Sequence, residues 1–403
     1  MRICGVVAEY NPFHSGHAYH LAEIRRTLGE DCAVVCCMSG DFVQRGEAAI
    51  LPKHLRAHAA VLSGADLVLE LPVPYSLSSA ERFAENAVRL LSGLGVLTDL
   101  SFGAEDADEA LLREIASVLL EHDTVAATLA NLRSGISYAA ARERALYDRI
   151  RQRADILSRP NNILAVEYCK AMQKQGLSLS LLPVARKGAG HDQGPEDGDG
   201  PVSASYLRSL LQNGDFEEAA RRMPEGSRSV LRNASAEGRA LLDGERLECA
   251  VLSQLLRLEP GDLAVLPGAA EGLEHRLYAA IRTSRTPEEI ALAAKTKRYP
   301  LARIRRMLCC AFLGISAADA AIPAPYIRVL AFNDKGREVL RLARKKAVLP
   351  LITKPAHAEA LTPEARRIFE LTARAADLYA LALPAWKQHR PGDDWRRNAV
   401  YVR

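Results

Sequence analysis

Short apolar runs and amphipathic runs alternate three times over within the first hundred residues, and few folds accommodate that rhythm. "ICGVV" (3–7), "AVVCCM" (33–38) and "LVLEL" (67–71) are continuous, partly β-branched runs, as strands buried on both faces must be. The stretches between and after them, opening at His17, Leu51 and Ser78, carry apolar residues at helical spacing, and each stops at a glycine. "LTDLSFG" (97–103) supplies a fourth strand. "LSLSLLPVAR" (177–186) supplies a fifth, after a helical stretch from Asp106 to Lys174 that is interrupted near "ILSRPNNIL". Strand, helix and strand in succession predict a parallel sheet with right-handed crossovers. Ligands of such sheets bind beyond the carboxyl ends of the strands. A Gly- and acid-rich loop, "KGAGHDQGPEDGDGP" (187–201), is expected to be mobile.

Three histidines (His14, His17 and His20) stand where the first strand gives way to the first helix, in "VVAEYNPFHSGHAYHLAEI". Asn11, Pro12, Ser15 and Gly16 are turn formers. A tight turn into a helix N-terminus gathers N–H groups and the positive end of the helix dipole, and so predicts an anion site. Within it, His14, Gly16 and His17 spell H-x-G-H. Two imidazoles can donate hydrogen bonds to the oxygens of a phosphoryl group under attack, and glycine permits close approach. A zinc site from the three histidines is the sharper rival, and plain surface histidines the blander one.

A second motif, "VSASYLR" (202–208), is similar to the I-S-S-T-x-I-R signature of nucleotidyltransferases that carry H-x-G-H. Ser203 and Ser205 at a helix start offer hydroxyls and amides to phosphates, and Arg208 neutralises charge. An ordinary serine N-cap is the alternative. Both motifs in this order point to adenylyl transfer from ATP. "KTKRY" (295–299) lacks the serines of K-M-S-K-S, which weakens an aminoacyl-tRNA synthetase reading.

Charge divides the chain. Residues 236–403 hold 28 basic and 19 acidic residues against 25 and 30 in residues 1–235, and between Lys295 and Lys346 the count is 13 against 3. Such asymmetry suits a polyanion partner. The 403 residues allow two sizeable cores: an α/β unit at 1–235 and a mainly helical one at 236–403. No apolar run approaches a membrane span, so no membrane partner is expected. Most of the eight cysteines lie in apolar runs and none forms a paired zinc pattern, as expected of reduced thiols in a cytoplasmic protein.

Longer segments resemble one family, the bacterial tRNA(Met) cytidine acetate ligases. They are "VVAEYNPFHSGHAYHL", "MSGDFVQRGEAAILPKHLRAHAAVLSGADLVLELP", "SFGAE", "RPNNILAVEY", "SASYLRSLL", "YPLARIRRMLCCAFLGI" and "PYIRVLAFNDKGR". The resemblance implies a Rossmann-like H-x-G-H nucleotidyltransferase domain that activates acetate with ATP as acetyl-AMP. The acetyl group then passes to the exocyclic amine of the wobble cytidine of elongator tRNA(Met), giving N4-acetylcytidine, without acetyl-CoA and with no DNA partner. Carried over by position, the family's ATP site falls on Val7, Ala8, Glu9, Tyr10, Asn11, Pro12, Phe13, His14, Ser15, Gly16, His17, Ala18, Tyr19 and His20. It continues on Gly103, on Arg186 and on the asparagine of "PNN", which is Asn161 or Asn162 with Asn162 preferred. The tail "RRNAVYVR" departs from the family's pattern.

Mg2+ is expected on the triphosphate. No carboxylate pair stands out for it, and Asp41 and Glu70 are the candidates. Lys53 or Arg56 could add a phosphate contact, with a solvated helix face as the alternative. RNA backbone contacts are expected from Arg298, Arg303, Arg305, Arg306, Lys335, Arg337, Arg341, Arg344, Lys345 and Lys346, and base stacking from Tyr299, Phe332, Trp386 or Trp395. Two rivals are a nucleotidyltransferase that adenylylates a small phosphate-bearing cofactor precursor, and a non-catalytic RNA-binding protein with a vestigial nucleotide fold.

Overall fold

The computed structural model describes residues 1–186, 202–269 and 272–403; the loop expected at 187–201 lies outside the described residues. The N-terminal strands are β1 (Ile3–Ala8), β2 (Ala33–Ser39), β5 (Leu67–Leu71), β6 (Asp99–Ala104) and β7 (Ser180–Ala185), with a small antiparallel hairpin, β3 (Phe42–Val43) and β4 (Glu47–Ala48), between them. The helices of this part are α1 (Ser15–Leu28), α2 (Lys53–Leu62), α3 (Ala80–Ser92), α4 (Glu109–Leu120), α5 (His122–Leu132), α6 (Tyr138–Ile150) and α7 (Pro160–Lys174). Next come α8 (Ala204–Gln212), α9 (Phe216–Arg221) and α10 (Glu225–Ala236).

The strands run parallel in the order β5-β2-β1-β6-β7. Their two-sided burial explains the unbroken apolar runs. Cys4, Val6, Val34, Cys36 and Val68 point to the face covered by Leu21 and Ile24 of α1 and Ala57 and Ala60 of α2. Ile3, Val35, Cys37, Leu67 and Leu69 point to the other face, against Phe83 and Ala87 of α3 and Ala165 and Val166 of α7. The strand order reverses between β1 and β6. A crevice opens at their carboxyl ends for that reason.

The rest of the chain is mainly helical: α11 (Gly244–Leu255), α12 (Pro260–Ala264), α13 (Leu273–Thr283), α14 (Pro287–Ala294), α15 (Leu301–Leu313), α16 (Ala317–Ala321), α17 (Asp334–Ala343) and α18 (Pro363–Ala380). It is not helical throughout. β8 (Ile327–Phe332) joins the sheet antiparallel to β5, and β9 (Leu351–Ile352) and β10 (Val400–Tyr401) pair with β8. Met307 and Phe312 of α15 and Ile368 and Phe369 of α18 share the core cluster that covers α3 and α7. The six-residue run "IRVLAF" carries Arg328 near its start, and a run that short does not separate a buried strand from a buried helix by periodicity.

All eight cysteines are free thiols, six of them buried. Among the described residues no helix is long and apolar enough to cross a membrane.

Candidate active site

A cavity of about 540 Å³ lies at the carboxyl ends of β1, β6 and β7. Its walls are the β1–α1 turn, the β3–β4 hairpin, the first turns of α7 and α8, and Arg186.

The turn is anchored by aromatic packing. Tyr10 adopts a left-handed backbone (φ 48°), which costs a non-glycine residue about 1–2 kcal/mol. Its ring packs 4.7 Å from Phe13 and edge-on to His17 at 4.9 Å, while its hydroxyl lies 3.3 Å from Cys36 Sγ in β2. The imidazoles of His14 and His17 sit with centroids 3.8 Å apart.

The amides at the start of α1 are not free for an anion. Ser15 N donates to Arg222 O (3.1 Å), Gly16 N to His14 Nδ1 (3.0 Å), and His17 N and Ala18 N to His14 O (2.9 and 3.1 Å). His14 is therefore the N-cap, and the expected phosphate cradle of backbone N–H groups is replaced by two side chains. Its own amide donates to His17 Nδ1 at 3.2 Å. With both Nδ1 atoms accepting, each neutral ring must carry its proton on Nε2. Burial keeps them neutral, pushing His14 down to about 3 and His17 well below its ordinary range, with Arg186 nearby adding to both shifts. The pair offers two neutral Nε2–H donors at any physiological pH.

His20 does not join them. Its Nε2–H donates to Ser101 Oγ (2.8 Å), because the Ser101 hydroxyl proton goes to Leu182 O (2.8 Å). No cluster of three metal-ligating side chains occurs among the described residues, and the zinc reading loses its geometry. Gly16 also makes room for the His14 ring: a Cβ there would lie 2.9 Å from His14 Cε1.

On the opposite wall, Gly103 lies under the Arg186 stem, whose Cγ would be 3.5 Å from a Cβ. Arg186 Nη1 donates to Asn161 Oδ1 (3.4 Å). Asn161 lines the cleft, whereas the preferred Asn162 does not. Its Oδ1 accepts from the Glu105 and Asp106 amides (2.9 and 3.0 Å), so that fully buried side chain braces the loop after β6. Pro12, Phe13 and Ala18 are likewise absent from the lining; Phe13 and Ala18 pack in the core beside β1.

Ser203 caps α8 by accepting from Tyr206 N (3.2 Å), and its Oγ lies 3.0 Å from Ser205 Oγ. No protein group among the described residues takes the Ala204 or Ser205 amide, so this helix, unlike α1, keeps an anion site at its N-terminus. Arg208 reaches from the next turn to Asn11 O (2.9 Å) and stands 3.7 Å from Glu47.

Against known proteins, residues 1–394 match the family model described as HIGH Nucleotidyl Transferase. A tRNA(Met) cytidine acetate ligase of Acetivibrio thermocellus is 34% identical, with both chains covered in full. One from Thermoanaerobacter sp. is 37% identical over 95% of this chain and 96% of its own. The Thermotoga maritima TmcAL crystal structures superpose with TM-scores of 0.94 (apo) and 0.92 (bound with alpha-thio ATP), at 31% and 30% identity over the full length of both chains. The chain belongs to the tRNA(Met) cytidine acetate ligase family.

In this member of the tRNA(Met) cytidine acetate ligase family, four charged residues read from the sequence turn out to be structural. Arg56 is fully buried and donates to the carbonyls of Leu51, Glu9, Ser39 and Gly40, tying the ends of β1 and β2 together. Lys53 is buried against Glu70 (2.7 Å) and Asp394, and Arg328 completes that cluster from β8. Asp41 accepts the Lys53 amide (2.7 Å). Asp41 and Glu70, the carboxylates offered for Mg2+, are spent there.

The basic segment is also partly spent inside. Arg303 donates to Gly268 O (2.6 Å), Arg305 pairs with Glu288 (2.7 Å), and Arg306 is mostly buried with Nη1 on Gln44 O (3.4 Å). Exposed cations gather in two places, Lys295, Lys297 and Arg298 just before α15, and Arg344, Lys345 and Lys346 just after α17. Among the aromatics, Trp386 is exposed, whereas Tyr299 is buried and Trp395 packs on Phe369 at 4.5 Å.

The β3–β4 hairpin, which lines the cleft through Gln44, Arg45 and Glu47, was not singled out from the sequence. Its Gly46 (φ 79°) lies so close to α15 that a Cβ would be 2.6 Å from Arg305 C. The Gln44 amide donates to Glu9 Oε1 (2.8 Å), and burial raises that carboxyl above its ordinary pKa. The only local signal for this element is a glycine between two short apolar stretches.

Proposed function

We propose that this protein is an ATP-dependent ligase that activates acetate as acetyl-AMP and acetylates the N4 amine of the wobble cytidine of elongator tRNA(Met). The observation that carries the reading is the His14–His17 pair, two neutral Nε2–H donors aimed into a cleft that also holds Arg186, Arg208 and the free α8 amides.

An acetate oxygen attacks the α-phosphorus of ATP, the bond to the β-phosphate oxygen breaks, and pyrophosphate leaves. His14 and His17 donate to the α-phosphoryl oxygens as charge gathers there, a contribution of about 3–4 kcal/mol for a well-placed donor. Ser203, Ser205, the α8 amides and Arg208 hold the departing phosphates, and Arg186 with Asn161 faces the nucleotide from β7 and α7. The cytidine amine then attacks the acetyl carbon, the C–O bond to AMP breaks, and the amine gives up a proton. Mg2+ would travel with the triphosphate and shield its charge, held by phosphate oxygens rather than by Asp41 or Glu70.

Curated relatives of this name match over nearly their whole length, which favours the ligase over a small-molecule nucleotidyltransferase. Arg344, Lys345 and Lys346 are the proposed RNA-backbone contacts, and free buried thiols agree with a cytoplasmic setting. The test supplies purified protein with ATP, radiolabelled acetate and bulk bacterial tRNA, followed by nucleoside analysis. Label in N4-acetylcytidine only when ATP is present supports the reading; acetyl-AMP without labelled tRNA would mean a different acceptor. Neither product would return the small-molecule nucleotidyltransferase to the front.

A further inference from the structure

The cleft has two halves, because side chains of a strand alternate across the sheet. In β1, Ala8 packs on the side covered by α1 and α2, whereas Val7 packs towards α3 and α7. The same alternation puts Glu9 on the second side. β6 divides in the same way: Ser101 bonds His20 of α1 and Gly103 lies under Arg186, while Phe102 packs on Tyr168 of α7 with ring centroids 5.5 Å apart. His14 and His17 belong to the first half, beside Tyr10 and Phe13. The second half has no task in the activation of acetate.

That half is apolar around one acid. Val7, Ala80, Ile163 and Leu164 are partly exposed in it. Glu9, also partly exposed, accepts the Gln44 amide on Oε1 (2.8 Å), and its Oε2 has no hydrogen-bond partner among the described residues. The Tyr168 hydroxyl has none either. Neither atom is sealed in protein as the orphaned hydroxyls of Tyr75 and Tyr326 are, so both open on the cavity. Burial raises the Glu9 carboxyl above its ordinary pKa, and burial together with the Glu9 charge raises the Tyr168 hydroxyl.

A carboxylate at this place repels the phosphates of ATP and the carboxylate of acetate, and an alkyl group would leave both polar atoms unpaired. Glu9 and Tyr168 together match an N–H donor beside a ring-nitrogen acceptor. Cytosine presents that pair in its N4 amine and N3, and carboxylates accept from the N4 amine. Uracil would put a carbonyl oxygen against the carboxylate.

We propose that this half receives the acceptor cytosine, with Glu9 as the catalytic base of the transfer step and Tyr168 donating to N3. The inference rests on the function proposed above. The N4 lone pair attacks the acetyl carbon, and the bond from that carbon to the AMP oxygen breaks with its electrons going to AMP. The N4 proton passes to Glu9 Oε2. A carboxyl whose pKa is raised towards neutrality takes that proton more readily than an ordinary one, and a positioned base contributes about 100- to 10,000-fold in rate.

The test measures two steps separately in the full-length protein: acetate-dependent ATP–pyrophosphate exchange, and transfer from supplied acetyl-AMP to an unmodified elongator tRNA(Met) transcript. Glutamine still accepts the Gln44 amide but takes no proton. Glu9→Gln is therefore expected to slow transfer at least tenfold more than it slows exchange. Smaller separation, transfer at the wild-type rate, or a KM for ATP raised tenfold in exchange would overturn the proposal, the last by placing Glu9 on ATP. Should Glu9→Gln not fold, Tyr168→Phe decides by the same ratio. A wild type with neither exchange nor transfer would refute the proposed function itself, whereas an active wild type without separation in the variant refutes only the role of Glu9.

Discussion

The His14 amide donates to Nδ1 of His17 across 3.2 Å, so the residue that caps α1 also sets the tautomer of its neighbour. Capping and the proposed phosphate contact would thereby be combined in one side chain, His14, whose Nδ1 accepts from the helix and which lines the cleft. The two roles can be separated by substitution.

Asparagine caps helices well but has no donor where Nε2 lies. His14→Asn should keep the thermal midpoint near wild type and lower kcat for acetyl-AMP formation about 100- to 1,000-fold. His14→Ala should lose the rate and also about 0.5–2 kcal/mol of stability. Calorimetry beside a pyrophosphate-exchange assay reads both; equal destabilisation by the two variants would refute the capping role.

Gly16→Ala separates propensity from geometry in the same way. Alanine within a helix is favoured over glycine by roughly 0.8–1 kcal/mol, yet its Cβ would sit 2.9 Å from His14 Cε1. Stability is expected to hold or fall slightly while activity drops at least tenfold, because the ring must move. Unchanged kcat with a bound-state structure showing His14 in place would contradict this account.

Arg56 and Arg208 should behave oppositely. Arg56→Ala strands four carbonyls in a buried site, and at about 1–3 kcal/mol for each unpaired group the loss should exceed about 3 kcal/mol. Arg208→Ala should leave the urea midpoint nearly unchanged and raise the KM for ATP. Denaturant titrations of both proteins distinguish a structural from a binding role.

Acid should weaken the fold through its buried histidines. Unfolded histidine takes up a proton below about 6.5, whereas folded His14 is held down to about 3 and His20 and His54 to about 4. Between about 4 and 6.5 the unfolded state binds more protons, so stability falls as pH drops through that window, by up to ~1.4 kcal/mol per pH unit for each histidine. Glu9, whose carboxyl is raised, works the other way and offsets part of this. Guanidinium midpoints at pH 7.5 and 5.5 should differ, and His20→Gln should shrink the difference; a flat profile would contradict the burial of these rings.

Much of the fold was legible in the order of residues. The runs "ICGVV", "AVVCCM" and "LVLEL" are unbroken because both faces of a doubly wound sheet are covered, and that requirement is local enough to read. The H-x-G-H and serine motifs were legible for the same reason, since each acts within one turn of chain. What the sequence could not resolve were choices made between distant segments. Asn161 and Asn162 are chemically identical neighbours, and only the packing of α7 against the loop after β6 turns one into the cleft and buries the other. Lys53 and Arg56 look like exposed helix charges until β8 and Asp394, more than 250 residues away in sequence, surround the first and four carbonyls claim the second. Charge on a sequence is a property of the residue, whereas its availability depends on which buried partners need it, and those partners are brought together only when the sheet closes.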